Sequence, residues 1–229
     1  MSGQRKDKVT NDKVTEFLRG YYKPLNEDLA RLRAYGEEHN VPIILKETEL
    51  YLNTLLEMYK PKKILEIGTA IGYSSIYFAS VCEDAEIYTI EKDEEVSKQA
   101  EANIQDFGLQ SRITCLVGDG EEQIEELYRR GICDFDFVFI DAAKSHYTRF
   151  LQSSLSVCKV GAVILSDNIM QHGMTVYYDI EKYRKHRTNV RKMREYLDFV
   201  CSDKRLNTSL MAIGDGVALS IYKEKYEEI

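Results

Sequence analysis

Residues 63–74 read Lys-Ile-Leu-Glu-Ile-Gly-Thr-Ala-Ile-Gly-Tyr-Ser. A short apolar run, Lys63–Ile67, leads through Gly68 and Gly72 into a segment of helical character, the strand–turn–helix passage at which open α/β sheets bind ligands. Downstream, Glu86–Ile90, Arg112–Val117, Phe135–Ile140 and Val160–Ser166 alternate with longer amphipathic stretches, the pattern of βαβ units and a parallel sheet. Phe135–Ile140 (FDFVFI) is nearly all apolar, as a strand covered on both faces requires. Near the end, Ser209–Ile213 and Val217–Ile221 flank Gly214-Asp215-Gly216, which signals an antiparallel hairpin. Five parallel strands and this hairpin predict a doubly wound, mostly parallel α/β sheet of seven strands. Upstream, Leu25–Asn40 and Lys46–Lys60 carry helical apolar spacing between Pro24, Pro42 and Pro61. Residues 1–60 therefore read as a helical N-terminal extension, residues 61–229 as the α/β core, and the whole as one domain.

A chain of 229 residues with 44% apolar content can bury one substantial core. Its first residues are polar, and no segment approaches the roughly 20 uninterrupted apolar residues of a membrane-spanning helix. A cytoplasmic protein is expected. The five cysteines (Cys82, Cys115, Cys133, Cys158, Cys201) are scattered and never spaced C-x-x-C, so they read as reduced core thiols rather than as a disulfide framework or zinc site. The formal charge of −7 argues against general affinity for nucleic acid. Locally the balance reverses: Lys182, Arg184, Lys185, Arg187, Arg191, Lys192 and Arg194 follow one another with no acidic residue between them.

The glycine loop departs from a dinucleotide fingerprint. The first glycine position of G-x-G-x-x-G is Glu66 and the last is Ile71. An anionic side chain there repels a pyrophosphate, but it suits a ligand with a cationic sulfonium and an ammonium group, such as S-adenosyl-L-methionine (SAM). Glu91 ends the second strand, where an acid can accept both ribose hydroxyls of an adenosine. Gly118-Asp119-Gly120 closes the third, where a carboxylate can accept from the adenine amino group. Each acid also has a plainer reading as a helix N-cap.

Asp141 follows the fourth strand and Asp167-Asn168 the fifth, so three oxygen donors come from adjacent carboxyl ends of the sheet. Hard oxygen donors without His or Cys favour Mg²⁺ or Ca²⁺ over zinc, and an enzyme site completed by substrate oxygens favours Mg²⁺. The plainer reading makes Asp141 a helix cap and Asp167-Asn168 an Asx-turn. A bound cation lowers a hydroxyl's pKa and fixes the oxygen facing a transferable methyl group. Lys144 can then take the proton, its pKa lowered by the metal charge, or can be a surface lysine at a helix start.

EIGTAIGYS, IEKDE, GDG, IDAAKSHY and SDN occur here in one order, and in these motifs the chain resembles the caffeoyl-CoA/catechol-type SAM-dependent O-methyltransferases from about Leu25 onward. The resemblance implies a Rossmann-like class I methyltransferase fold and SAM contacts at Ile44, Glu66, Gly68, Ser74, Glu91, Gly118, Asp119 and Asp141. It also implies metal ligation by Asp141, Asp167 and Asn168, and a homodimer. Two departures stand out: Ala70 replaces the middle loop glycine, and Asn168-Ile169-Met170-Gln171-His172-Gly173 replaces the aromatic-rich continuation of the plant enzymes. Within the family the chain is most similar to the bacterial branch that methylates the 5-hydroxyl of 5-hydroxyuridine at the tRNA wobble position. A tRNA acceptor gives the basic run at 182–194 a use beside the active site, with Val190, Met193, Leu197 and Val200 facing the core. The alternatives are a small hydroxylated aromatic acceptor and a non-catalytic RNA-binding protein on the same fold. His172 follows the metal pair with no partner evident in the sequence.

Overall fold

In a computed structural model, residues 9–176 and 186–224 are described. The strands are β1 (Lys63–Ile67), β2 (Glu86–Glu91), β3 (Ile113–Val117), β4 (Phe135–Ile140), β5 (Cys158–Ser166), β6 (Leu206–Met211) and β7 (Val217–Tyr222). They form one seven-stranded sheet in the order β3-β2-β1-β4-β5-β7-β6. The first five run parallel, and β7 is antiparallel to both β5 and β6. The expected sheet and hairpin are both present, although β6 begins three residues before Ser209. Strand order reverses between β1 and β4, and ligand crevices form at such switch points.

The pleat divides the core. Leu65 and Ile67 of β1 join Phe135, Val138 and Ile140 of β4 on one face, whereas Ile64 joins Phe137 and Phe139 on the other. The first face is covered by α6 (Gly120–Arg129), α7 (Tyr147–Val157) and α8 (Arg187–Ser202), through Ile124, Phe150, Leu151, Met193 and Tyr196. The second is covered by α2 (Glu27–Glu38), α3 (Lys46–Tyr59), α4 (Tyr73–Val81) and α5 (Glu94–Asp106), through Leu29, Leu52, Ile76 and Ile104. The two expected N-terminal helices are α2 and α3. A further helix, α1 (Asp12–Arg19), was not anticipated; Asn11 caps it and none of its residues is buried.

Two sequence expectations need correction. The inward stripe of α8 is Val190, Met193, Tyr196 and Val200, with Leu197 only half-buried; Tyr196 is held inside by a 2.6 Å hydrogen bond with the Ser166 hydroxyl. Cys201 is exposed, unlike the buried Cys82 and Cys158, because its place on α8 falls outside that stripe. No helix among the described residues is long and apolar enough to cross a membrane.

Candidate active site

The strand ladders run one residue past each carboxyl end. Gly68 N–H donates to Ile90 O at 2.9 Å, Gly118 N–H to Glu91 O at 2.9 Å, Asp141 N–H to Ile67 O at 3.0 Å and Asp167 N–H to Ile140 O at 3.0 Å. Gly68, Gly118, Asp141 and Asp167 are thereby fixed in one row along the sheet edge. Gly68 has φ 105°, and a Cβ there would overlap the Asp141 carbonyl oxygen, so glycine is needed for β1 and β4 to end side by side.

Two cavities open along this row. One, of about 460 Å³, is lined by Gly68, Glu91, Gly118, Asp119 and Asp141, with His146 and Phe150. The other, of about 620 Å³, is lined by Ile43, Ile44, Gln171, His172, Met174 and Asp215, with Arg19, Arg33 and Lys46. Pro42, Lys144 and Asn168 line both. The expected cofactor residues therefore divide: Gly68, Glu91, Gly118, Asp119 and Asp141 share the first cavity, Ile44 walls the second, and Glu66 and Ser74 are buried and line neither.

Glu66 is fully enclosed and accepts from the Ser75 hydroxyl and from Thr89 Oγ1 at 2.6 Å, while its Oε1 has no partner. Burial pushes its carboxyl up to about 7, against hydrogen bonds from Ser74, Ser75 and Thr89 that pull it down. Glu91 is not a helix cap, a role taken by Asp93. Its Oε2 accepts from Ala70 N–H at 3.0 Å and so ties the glycine loop to β2. Asp119 does cap a helix, accepting from Glu121 N–H at 3.1 Å, and its second oxygen accepts from Arg149 at 2.7 Å. Burial raises its pKa, but the hydrogen bond from Arg149 helps carry it below the usual carboxylate range.

At the junction, Lys144 Nζ donates to Asp141 Oδ1 at 2.8 Å, Asn168 Oδ1 at 3.0 Å and the Tyr147 hydroxyl at 2.7 Å. Tyr147 in turn donates to Asp167 O at 2.9 Å. Asp141, Asn168 and Lys144 thus converge, and Asp141 caps no helix, since the 3₁₀ turn Lys144–His146 starts without a side-chain cap. Asp167 is fully buried; its Oδ1 accepts from Asn168 N–H at 2.7 Å and its Oδ2 has no partner. Burial, then the nearby Asp141 charge, raise its pKa well above the usual range. Burial works to lower the Lys144 pKa, yet the facing Tyr147 and Asp141 more than offset it and the ammonium is held above the ordinary lysine range. That is opposite to the direction anticipated for a metal-loaded site, because in this arrangement the lysine itself is the cation between the oxygens.

Asp215 was read only as a turn residue. It is buried, lines the second cavity and accepts from His172 N–H at 2.7 Å. Asn168, Gln171 and His172 all have positive φ, so this carboxylate braces a strained loop. His172 does have a partner in the fold, although its side chain is 79% exposed. Of the basic run, Lys182, Arg184 and Lys185 lie outside the described residues. Arg187 is exposed at the start of α8. Arg191 and Lys192 pair with Glu195 at 3.6 and 2.7 Å, and Arg194 donates to Thr175 O at 2.9 Å. Glu195, just beyond the run, thus neutralises part of its charge.

A doubly wound sheet with acidic strand ends around a cavity at the switch point defines a class I methyltransferase. The sequence model of the O-methyltransferase family matches residues 21–223. A caffeoyl-CoA O-methyltransferase of Stellaria longipes is 30% identical over 202 residues, covering 84% of this chain and 82% of that protein. A catechol O-methyltransferase of Niastella koreensis is 33% identical over 124 residues, 54% of this chain and 56% of the other. Among solved structures, a Staphylococcus aureus protein provisionally called a caffeoyl-CoA O-methyltransferase matches with a TM-score of 0.84 at 31% identity, over 92% of this chain and 100% of that one. An O-methyltransferase of Bacillus cereus in complex with SAH shares the fold, with a TM-score of 0.79 at 22% identity over 92% and 97% of the two chains. The chain belongs to the caffeoyl-CoA/catechol-type SAM-dependent O-methyltransferase family.

Proposed function

We propose that this enzyme methylates the 5-hydroxyl of 5-hydroxyuridine at the tRNA wobble position, with SAM in the cavity beside Glu91 and the acceptor in the one beside His172. The observation that carries the two-cavity reading is that Lys144 and Asn168 line both, so donor and acceptor meet there. Methyl transfer is an in-line displacement: an acceptor oxygen–carbon bond forms as the sulfonium–carbon bond breaks, and the hydroxyl proton must leave. Asp141, Asp167 and Asn168 are the residues that would hold a divalent cation of the Mg²⁺ type, and the unpartnered Asp167 Oδ2 is the observation that fits one. Bound there, the cation supplies a lowered pKa at the acceptor hydroxyl.

The chain's own groups do the rest. Glu91, Asp119 and Asp141 set the acidic side of the cofactor cavity, and Pro42 forms part of the wall common to both sites. Lys144 holds its proton at Nζ while Asp141 and Asn168 accept from it, and can accept the hydroxyl proton only after those oxygens engage another partner and the ammonium has released its own proton to water. Gln171, His172 and Asp215 give the acceptor cavity polar contacts that can select the acceptor. The exposed Arg187 and the sequence resemblance to the tRNA-modifying branch support a polyanionic acceptor. A small catechol is the second reading, favoured by the curated relatives.

Nucleoside analysis of tRNA from cells lacking the protein discriminates them. The tRNA reading expects 5-hydroxyuridine to accumulate and 5-methoxyuridine to vanish; unchanged tRNA, with turnover of catechol by the purified enzyme, sinks it. Chelation of divalent cations is expected to lower turnover at least a hundredfold, with recovery on adding Mg²⁺.

A further inference from the structure

One buried charge pair, whose arginine also lines the second cavity, has no part in the proton and methyl chemistry described above. Arg33 of α2 is 4% exposed and Glu49 of α3 is 2% exposed, and the two form an ion pair. Arg33 Nη2 also donates to Ile44 O at 3.0 Å, and Nε to the Tyr73 hydroxyl at 3.1 Å. Tyr73 donates to Glu49 Oε2 at 2.7 Å and Tyr22 to Glu49 Oε1 at 2.8 Å. The Arg33 guanidinium lies 4.6 Å from the Tyr73 ring centroid. Every named partner belongs to a different segment, and two border the site. Ile44 belongs to residues 41–45, which have no regular secondary structure and wall the acceptor cavity. Tyr73 is the first residue of α4, next to Gly72 of the glycine loop.

A buried ion pair is a poor source of net stability, because desolvating two charges cancels most of their attraction, and apolar replacements often serve as well. What it supplies is direction. A carbonyl in an irregular buried segment has no ladder partner and must be met by a side chain, and the planar guanidinium meets Ile44 O, Glu49 and Tyr73 together. We propose that Arg33 and Glu49 are positioning residues that hold the 41–45 wall of the acceptor cavity in register with the glycine loop of the cofactor cavity. The inference rests on the two-cavity reading above, and not on which acceptor is used.

Three variants of the full-length enzyme test it: Arg33→Met with Glu49→Leu, Arg33→Lys, and Tyr73→Phe. The readouts are thermal midpoint, amide hydrogen exchange across the 41–45 segment (read at Val41, Ile43, Ile44 and Leu45, since Pro42 has no N–H), and affinity for S-adenosylhomocysteine by calorimetry. The expected result for the double variant is a midpoint within a few degrees of wild type, exchange at 41–45 at least tenfold faster, and affinity at least fivefold weaker. Arg33→Lys is expected to restore part of both. Wild-type exchange at 41–45 with wild-type affinity in a folded double variant overturns the proposal, as does a lowered midpoint with both other readouts unmoved. Should the double variant not fold, Tyr73→Phe decides: it removes only the bridging hydroxyl, and exchange at 41–45 is expected to rise at least threefold, an unchanged rate counting against the clamp. The exchange arm needs no ligand, so it stands even where wild-type enzyme fails to bind S-adenosylhomocysteine, a failure that would instead count against the cofactor assignment.

Discussion

Ala70 occupies a left-handed conformation, φ 47°, with its N–H held by Glu91. A Cβ in that region costs about 1–2 kcal/mol, so Ala70→Gly is expected to raise unfolding free energy by ~0.5–1 kcal/mol after the added unfolded-state entropy is subtracted; urea titration reads it. Glu66 gives a pH signature. Its folded pKa, about 7, lies above the ordinary 4.5, so between those values the folded ligand-free protein binds more protons than the unfolded chain. Stability must therefore fall as pH rises from about 4.5 to about 7. Glu66→Gln is expected to flatten that slope and stabilise the ligand-free enzyme by ~3 kcal/mol at pH 8, while SAM affinity drops at least tenfold. Denaturant midpoints at pH 5 and 8, with and without cofactor, check both. The acids at strand ends were readable in the sequence because strand ends mark themselves by apolar runs. Arg33 and Glu49 were not: on segments of helical spacing a charge looks like part of a solvated face, and its burial depends on partners up to 40 residues distant.

At the scale of elements, β1 and β4 were legible to the residue because both of their faces are buried, which leaves no polar alternation to blur their limits. β6 was read late because it is an edge strand, and its Asn207, Thr208 and Ser209 carry little apolar signal. α1 was missed although Val14, Phe17, Leu18 and Tyr21 follow helical spacing after the Asn11 cap; those side chains are exposed, so nothing in the core demanded them. A close element junction is the β1–α4 loop against the end of β4. Gly68→Ala is expected to destabilise the protein by about 3 kcal/mol or more, since backbone must move on both strands to admit the methyl group. Calorimetric melting tests this, and a shift below 2 °C would show the loop to be looser than its geometry implies.

Across the whole molecule, a net charge of −7 works against binding a polyanion, so the proposed tRNA acceptor would depend on a local field near α8. Part of that field is weaker than composition suggests, because Glu195 pairs with Arg191 and Lys192, while Arg194 is tied to the Thr175 carbonyl. Arg187→Glu is expected to weaken tRNA binding about fivefold at moderate salt and to make log affinity less steep against log salt concentration. Filter binding at several ionic strengths would detect it; equal slopes for mutant and wild type would remove Arg187 from the interface. The common wall formed by Pro42, Lys144 and Asn168 has a pharmacological corollary. A single inhibitor joining an adenosine analogue to an acceptor mimic through the place of the migrating carbon would occupy both chambers for one loss of translational freedom. Its selectivity among related enzymes would come from the side of the chamber lined by Gln171, His172, Met174 and Asp215.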